Sequence, residues 1–212
     1  MNDTNKPVLF FDFDGVLVDS FDFVVDIAKE LNSHVDASLI RWVMEGNVME
    51  QLQELKRRTG FVVDHDHFDQ RYGAHLAGHP LIAGMKEAIE DVARDHSLAI
   101  VSSSHSDPIK SFLDTQGISQ HFGAVLGKDV HPKKTHKMQT YLAKFGGQKQ
   151  PKSLLVTDSL GDIEEAHSLA IPSLAVSWGY HPEQTLRKGN PHAIVHKPED
   201  LPQMIRDLLF GS

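Results

Sequence analysis

The 212-residue chain contains no cysteine, which excludes disulfide bonds, thiolate metal sites and a cysteine nucleophile. No apolar run approaches the ~20 residues of a membrane-spanning helix. The 29 acidic residues outnumber the 21 basic ones, and no long basic run offsets the net charge of −8, so nucleic acid is not an expected partner. The first residues lack the basic start and apolar stretch of a signal peptide. We therefore expect a soluble, cytoplasmic protein, a monomer or weak homodimer without a membrane partner.

Short apolar runs alternate with helical patterns along much of the chain. The runs that end in a polar cluster are Val8–Phe11, Leu98–Val101, Leu154–Val156 and Leu174–Val176. Runs of about four apolar residues are typical of strands buried on both faces. Met85–His96 has apolar residues at helical steps, and Asp107 is predicted to cap a further helix that has Pro108 in its first position. This alternation predicts an α/β fold with a mostly parallel sheet.

Residues 19–80 break the alternation. Four helical patterns occupy this segment: Phe23–Leu31, Leu39–Met44, Val48–Arg58 and His67–Leu76. The run Phe61-Val62-Val63 is the one strand candidate, and three residues are weak evidence. We therefore predict an all-helical cap at 19–80, inserted into a catalytic core made of 1–18 and 81–212.

Polar residues collect where the predicted strands end, namely Asp12, Asp14, Ser102, Asp158 and Asp162. Ligands of open α/β sheets bind beyond the carboxyl ends of the strands, so these side chains are expected to share one crevice. Several carboxylates in one crevice repel one another and are costly to desolvate unless a cation neutralises them. Mg²⁺ fits such a site, because it prefers a few carboxylates together with water and a substrate phosphate.

Four segments resemble, in order, the motifs of the haloacid dehalogenase superfamily. They are Asp12–Ser20, Ser102, Lys133-Lys134 and Thr157–Asp162. The segment Ser177–Tyr180, followed by Asn190-Pro191 and Pro198–Leu201, is similar to the phosphoglycolate-phosphatase-like branch. Two positions depart from the pattern: Thr157 replaces a common Gly, and Thr135 replaces the Pro that usually follows the motif lysine. Lys134 is the favoured motif lysine, with Lys133 and Lys137 as alternatives.

The resemblance implies a Rossmann-like core and a phosphatase that acts on a small phosphorylated metabolite. It implies that Asp12 attacks phosphorus to form an aspartyl phosphate. Asp14 would then act as general acid and base, provided that Gly15 lets the chain bend there. Ser102 and Lys134 would bind the phosphoryl oxygens, with Ser103 and Ser104 as alternatives to Ser102.

The resemblance also implies the metal ligands and the substrate-binding residues. Mg²⁺ would bind the carboxylates of Asp12 and Asp158 and the main-chain carbonyl of Asp14, while Asp162 would hold a metal-bound water. The predicted substrate-binding residues are Gly15, Ser103, Gly46 and Asn47. Gly46 and Asn47 form a turn between cap helices that is expected to reach the crevice and select the leaving group.

Three other functions are alternatives to a phosphatase. A sugar phosphomutase would use the same aspartyl phosphate but return it to substrate, and no marker for sugar binding is evident. A dehalogenase would have no use for the acid Asp14. A non-catalytic signalling module with a phosphorylated Asp would gain nothing from that residue or from a cap. The run Asp64–His67 has the composition of a metal site, but it is predicted to be a solvated loop.

Overall fold

The core of the molecule is one parallel β-sheet. The computed structural model describes residues 6–60, 62–145 and 151–211. The strands are β1 (Val8–Phe11), β2 (Ser97–Val101), β3 (Phe122–Leu126), β4 (Ser153–Thr157), β5 (Ser173–Val176) and β6 (Ala193–Val195). Every neighbouring pair is parallel, and the strand order is β3-β2-β1-β4-β5-β6. The predicted α/β class is therefore confirmed.

Strand β1 shows why the apolar runs are strands. All four of its residues are buried. Leu9 and Phe11 pack into a hydrophobic cluster on one face of the sheet, whereas Val8 and Phe10 pack into a second cluster on the other face. Because side chains alternate between the faces and helices cover both, the strand needs an apolar residue at every position.

The helices of the described residues flank the sheet or form the cap. The cap helices are α1 (Phe21–Leu31), α2 (Ala37–Met44), α3 (Val48–Thr59) and α4 (His65–Leu76). The core helices are α5 (Met85–Val92), α6 (Ser106–Thr115), α7 (Lys134–Ala143), α8 (Leu160–Ser168), α9 (Glu183–Leu186) and α10 (Leu201–Phe210). Nowhere in 6–60, 62–145 or 151–211 is a helix long and apolar enough to cross a membrane.

Two local predictions need correction. Helix α6 begins at Ser106 and its N-cap is His105, whose Nδ1 accepts the N–H of Asp107 at 3.4 Å, so the prediction that Asp107 is the N-cap was wrong. The weak strand candidate in the cap is not a strand at Val62 or Val63, and Phe61 lies outside the described residues. The boundaries of the cap at 19 and 80 stay a prediction.

The sheet order changes direction between β1 and β4, where β2 and β3 extend to one side and β5 and β6 to the other. At such a switch point the loops after the two central strands diverge and leave a crevice at the carboxyl edge. The cap is inserted directly after β1, so that its helices lie next to this crevice.

Candidate active site

Asp12 and Asp158 lie on the two sides of the crevice. Asp12 directly follows β1 and its N–H donates to the carbonyl of Val156 in β4 at 2.9 Å, while Asp158 directly follows β4. Both line a cavity of about 150 Å³ between the core and the cap. The other predicted site residues that line the cavity are Asp14, Gly46, Asn47, Ser103, Lys134 and Asp162. Residues far apart in the chain are thus brought together.

The carboxylate of Asp12 is buried and held at both oxygens. The Lys134 ammonium lies 2.8 Å from Oδ2, and the N–H of Phe13 donates to Oδ1 at 2.7 Å. Burial raises the pKa of Asp12 well above its ordinary value, and the charge of Lys134 acts in the opposite direction. One oxygen is therefore paired with a cation inside the cavity while the carboxyl group remains hard to ionise.

Lys134 also contacts Asp162, at 2.6 Å from Oδ2, and that oxygen accepts a second hydrogen bond from the Thr157 hydroxyl at 2.7 Å. Burial acts to raise the pKa of Asp162, but Lys134 and the hydrogen bonds outweigh it, so that the pKa lies below its ordinary value. Lys134 is therefore shared by two carboxylates.

The two alternative motif lysines lie elsewhere. Lys133 is exposed and forms an ion pair with Glu50 of the cap at 2.7 Å. Lys137 is buried, donates to the carbonyl of Ser102 at 2.6 Å, and has its pKa lowered to about 8 by burial. Of these three lysines, Lys134 is the one that lines the cavity.

Asp158 is wedged between two glycines. A Cβ atom on Gly15 would come within 1.9 Å of Oδ2 of Asp158, and one on Gly179 within 2.3 Å of its Cβ. Gly15 also has φ +73°, so the bend expected at this residue is present. The N–H of Tyr180 donates to Oδ2 of Asp158 at 2.6 Å, and burial raises the pKa of the carboxyl group to about 7.

Asp14 is surrounded by hydroxyl donors. The hydroxyls of Ser20 and Tyr72 donate to Oδ1 at 2.6 and 2.7 Å, and that of Ser104 donates to Oδ2 at 2.7 Å. Tyr72 belongs to cap helix α4, so the cap contacts a predicted catalytic residue directly. Sequence reasoning missed Tyr72, which has no motif around it, and gave Ser104 only as an alternative to Ser102.

Ser102 lies beneath the cavity rather than on its surface. Its side chain is fully buried, and its hydroxyl accepts the N–H of Ser104 at 3.0 Å. Ser103 and Ser104 line the cavity, and Ser102 is absent from the lining. The predicted phosphate-binding role of Ser102 stays a prediction, and the open alternatives, Ser103 and Ser104, are the serines of this run that line the cavity.

The cap turn formed by Gly46 and Asn47 contacts the core at helix α8, and its predicted role in selecting the leaving group stays a prediction. The side-chain amide of Asn47 donates to Oε1 of Glu165 in α8 at 2.7 Å. A Cβ atom on Gly161 would lie only 2.7 Å from the carbonyl oxygen of Gly46, so the turn packs closely against the start of α8. Both turn residues line the cavity beside the carboxylates.

The carboxylates of the cavity differ in how many of their oxygens are free to bind a metal. In the part of the chain that the structure describes, no group of three His, Cys, Asp or Glu side chains is arranged to hold one. The carboxylate of Asp14 is used by three hydroxyls, and one oxygen of Asp162 by Lys134 and Thr157. Asp12 and Asp158 remain as two buried carboxylates whose pKa values are raised. Carboxylate oxygens are hard donors, and a pair of them fits Mg²⁺, which uses few carboxylates and completes its shell with water and phosphate.

The fold and this site match one family of proteins. The family model of the haloacid dehalogenase-like hydrolases matches residues 9–176. The chain therefore belongs to the haloacid dehalogenase-like hydrolase family, and the predicted family and hydrolase class are confirmed. A hydrolase of this family from Streptococcus pneumoniae has the same fold, with a TM-score of 0.76 at 20% identity over 95% of this chain and 99% of that one. The predicted Rossmann-like core with a helical cap is thereby confirmed.

Curated relatives narrow the similarity within the family. The phosphoglycolate phosphatase of Mesorhizobium japonicum is 26% identical over 90% of this chain and 91% of its own length. That of Synechococcus elongatus is 27% identical over 95% of this chain and 98% of its own length. These relatives confirm the predicted resemblance to the phosphoglycolate-phosphatase-like branch.

Proposed function

We propose that the protein is a Mg²⁺-dependent phosphatase that hydrolyses a small organic phosphate monoester, a phosphorylated metabolite, through an aspartyl phosphate on Asp12. The observation that carries this proposal is the buried Asp12–Lys134 ion pair beside Asp14 in one cavity. It combines a nucleophile, a cation for phosphoryl oxygens and a second carboxylate for proton transfer. The names of the curated relatives support the same reaction class.

In the first step, an oxygen of Asp12 attacks phosphorus and the bond between phosphorus and the ester oxygen breaks. Lys134, at 2.8 Å from Asp12, also lies within reach of the phosphoryl group and offsets its negative charge. Asp14 donates a proton to the departing oxygen, so that an alcohol leaves rather than an alkoxide.

In the second step, Asp14 takes a proton from the water that attacks the aspartyl phosphate. The bond between phosphorus and Asp12 breaks, inorganic phosphate leaves and the carboxylate is restored. The three hydroxyls that donate to Asp14 hold its carboxylate in place for this task.

Asp12, Asp158 and the main-chain carbonyl of Asp14 would hold Mg²⁺. When bound, the ion supplies positive charge that ionises the buried carboxylates and stabilises charge on the phosphoryl oxygens. Asp162 would act indirectly, because its contact with Lys134 fixes the ammonium group next to Asp12.

The test is release of inorganic phosphate from p-nitrophenyl phosphate by the purified protein. We expect activity with Mg²⁺, none after treatment with EDTA, and recovery when Mg²⁺ is added back. Acid quenching during turnover should trap a phosphorylated peptide that contains Asp12. Activity unaffected by EDTA would contradict the metal, and turnover without a trapped peptide, under conditions where the second step is slow, would contradict the covalent intermediate.

A further inference from the structure

The cavity has a second lining that the proposed chemistry does not use. Apolar side chains of the cap helices face the same space as the carboxylates, and we call this lining the cap wall: Val24, Leu39, Val43, Met49, Leu52 and Phe68. Four of these residues are only half-buried although they belong to the interior of the cap. Apolar surface that the protein's own packing leaves uncovered, in a concave site, is what binds the organic part of a ligand.

The cations near the cap wall already have partners. Lys134 contacts Asp12 and Asp162, and Lys128 forms an ion pair with Asp69 at 2.6 Å. The remaining basic side chain in the described lining is His65, which is exposed, and no arginine occurs there. Within the described lining, the cap therefore offers no lysine or arginine to a negatively charged leaving group.

We propose that the substrate is a phosphate monoester of an uncharged, apolar alcohol, whose organic group packs against the cap wall. This inference rests on the proposed phosphatase function and names its substrate class. A leaving group that carries a carboxylate, as glycolate does, would lose hydration against Leu52 and Met49 without gaining an ion pair with a lysine or arginine of the cap, which is costly. Hydroxyl-rich sugars would lose hydrogen bonds to water in the same way.

The size of the cavity limits the alcohol. Its volume of about 150 Å³ also has to hold the phosphoryl group beside Asp12. Since an apolar cavity of ~150 Å³ accommodates one benzene molecule and the phosphoryl group takes part of this space, the organic group that fits entirely inside is a short branched chain.

The experiment compares esters of matched shape on the wild-type enzyme. Isobutyl phosphate and phosphoglycolate have the same outline, with two methyl groups in one where the other has the carboxylate oxygens. We expect kcat/KM for isobutyl phosphate to exceed that for phosphoglycolate by at least about tenfold. Equal values, a preference for phosphoglycolate, or faster hydrolysis of a sugar phosphate would overturn the inference and leave the phosphatase function intact. If no ester is hydrolysed, p-nitrophenyl phosphate included, the proposed function fails and the inference falls with it.

A pair of variants tests the cap wall itself. Leu52→Lys places a cation in the wall, and Gln53→Lys places the same cation on the adjacent, exposed position of α3. We expect Leu52→Lys to lower the preference for isobutyl phosphate at least about tenfold and Gln53→Lys to leave it unchanged. An unchanged preference in a folded Leu52→Lys protein would overturn the inference.

A binding measurement on the wild type serves if Leu52→Lys does not fold. Isopentylphosphonate and phosphonopropionate are the unreactive counterparts of the two esters. Calorimetry in the presence of Mg²⁺ should give a Kd at least about tenfold lower for isopentylphosphonate. Tighter binding of phosphonopropionate would contradict the assignment.

Discussion

The two linings of the cavity are built in opposite ways. In the carboxylate floor, which we define as Asp12, Asp14, Lys134, Asp158 and Asp162, every charged side chain has at least one partner within 2.8 Å. The cap wall consists of side chains that no polar contact fixes and that are mostly half-buried. The floor is therefore committed to one arrangement of charge, whereas most of the wall makes no contact with it. Tyr72 of the cap is the link, because it donates to Asp14 and stacks on Phe68 of the wall. On the proposed function, the reaction would be set by the floor and substrate preference mainly by the wall.

The largest effect should come from Asp12→Asn in the carboxylate floor. The amide is a poor nucleophile, so we expect kcat for p-nitrophenyl phosphate to fall at least about 10⁴-fold. Asp22→Asn is the matched control, because Asp22 is an exposed carboxylate of α1, and it should keep full activity. Near-normal turnover by Asp12→Asn with an unchanged circular dichroism spectrum would remove Asp12 from the reaction.

Lys134→Met should destabilise the carboxylate floor, because it leaves two buried carboxylates without their cation. Removing one partner of a buried ion pair typically costs about 3–5 kcal/mol, which urea unfolding at pH 7 would measure. Lys133→Met is the control, since its exposed ion pair with Glu50 should contribute nothing detectable. The pKa of Asp162 is depressed in the wild type, so its ion pair with Lys134 stabilises the folded protein at pH values above the ordinary pKa of an aspartate. This stabilisation is lost as the pH falls below that value and through the depressed pKa. The free energies of unfolding of the two lysine variants should therefore approach each other as the pH becomes acidic.

Tyr72→Phe and Ser104→Ala test whether the cap contributes to the floor. Each removes one hydroxyl donor to Asp14, at 2.7 Å in both cases, and we expect each to lower kcat by about tenfold. Because both donors hold the same carboxylate, the double variant should lose a factor that differs from the product of the single losses. Strict additivity would show that the two hydroxyls act independently of each other.

The smallest effect is expected on the outer surface of the cap, at Glu54→Gln. Hydrogen bonds from Arg57 and Arg58 lower the pKa of Glu54 from its ordinary 4.5 to about 2. A depressed pKa means that the stabilisation is present above pH 4.5 and is lost as the pH falls towards 2. The Tm of the variant should lie slightly below that of the wild type at pH 6 and closer to it at pH 3, with no change in kcat. A difference in Tm between the variant and the wild type that grows at acidic pH would contradict the stabilising contact of Glu54 with the two arginines.

Much of the architecture could be predicted from sequence because it follows from local patterns. Strands buried on both faces are continuous apolar runs, and β1 is one of them. Strands β3 and β6 escaped detection because they form the two edges of the sheet. Phe122–Leu126 contains an exposed glycine at Gly123, and Ala193–Val195 has only three residues.

The site was predictable where a motif marks it and obscure where tertiary packing forms it. Asp12, Lys134 and Asp158 belong to motif segments and meet in one cavity. Tyr72 contacts Asp14 from 58 residues further along the chain, and nothing in its neighbours indicates that contact. The apolar cap wall has the spacing of ordinary helix interiors, so that only the packing distinguishes lining from core.

The wedged position of Asp158 has a consequence for mutational screens. Gly15 and Gly179 carry no functional group, yet every other amino acid at either position would push this aspartate aside. In a library scored for growth or colour, both glycines should tolerate as few replacements as the acidic residues do. In the resulting map of tolerated substitutions, these two glycines would rank with the residues that carry the chemistry, although they have no chemical role of their own.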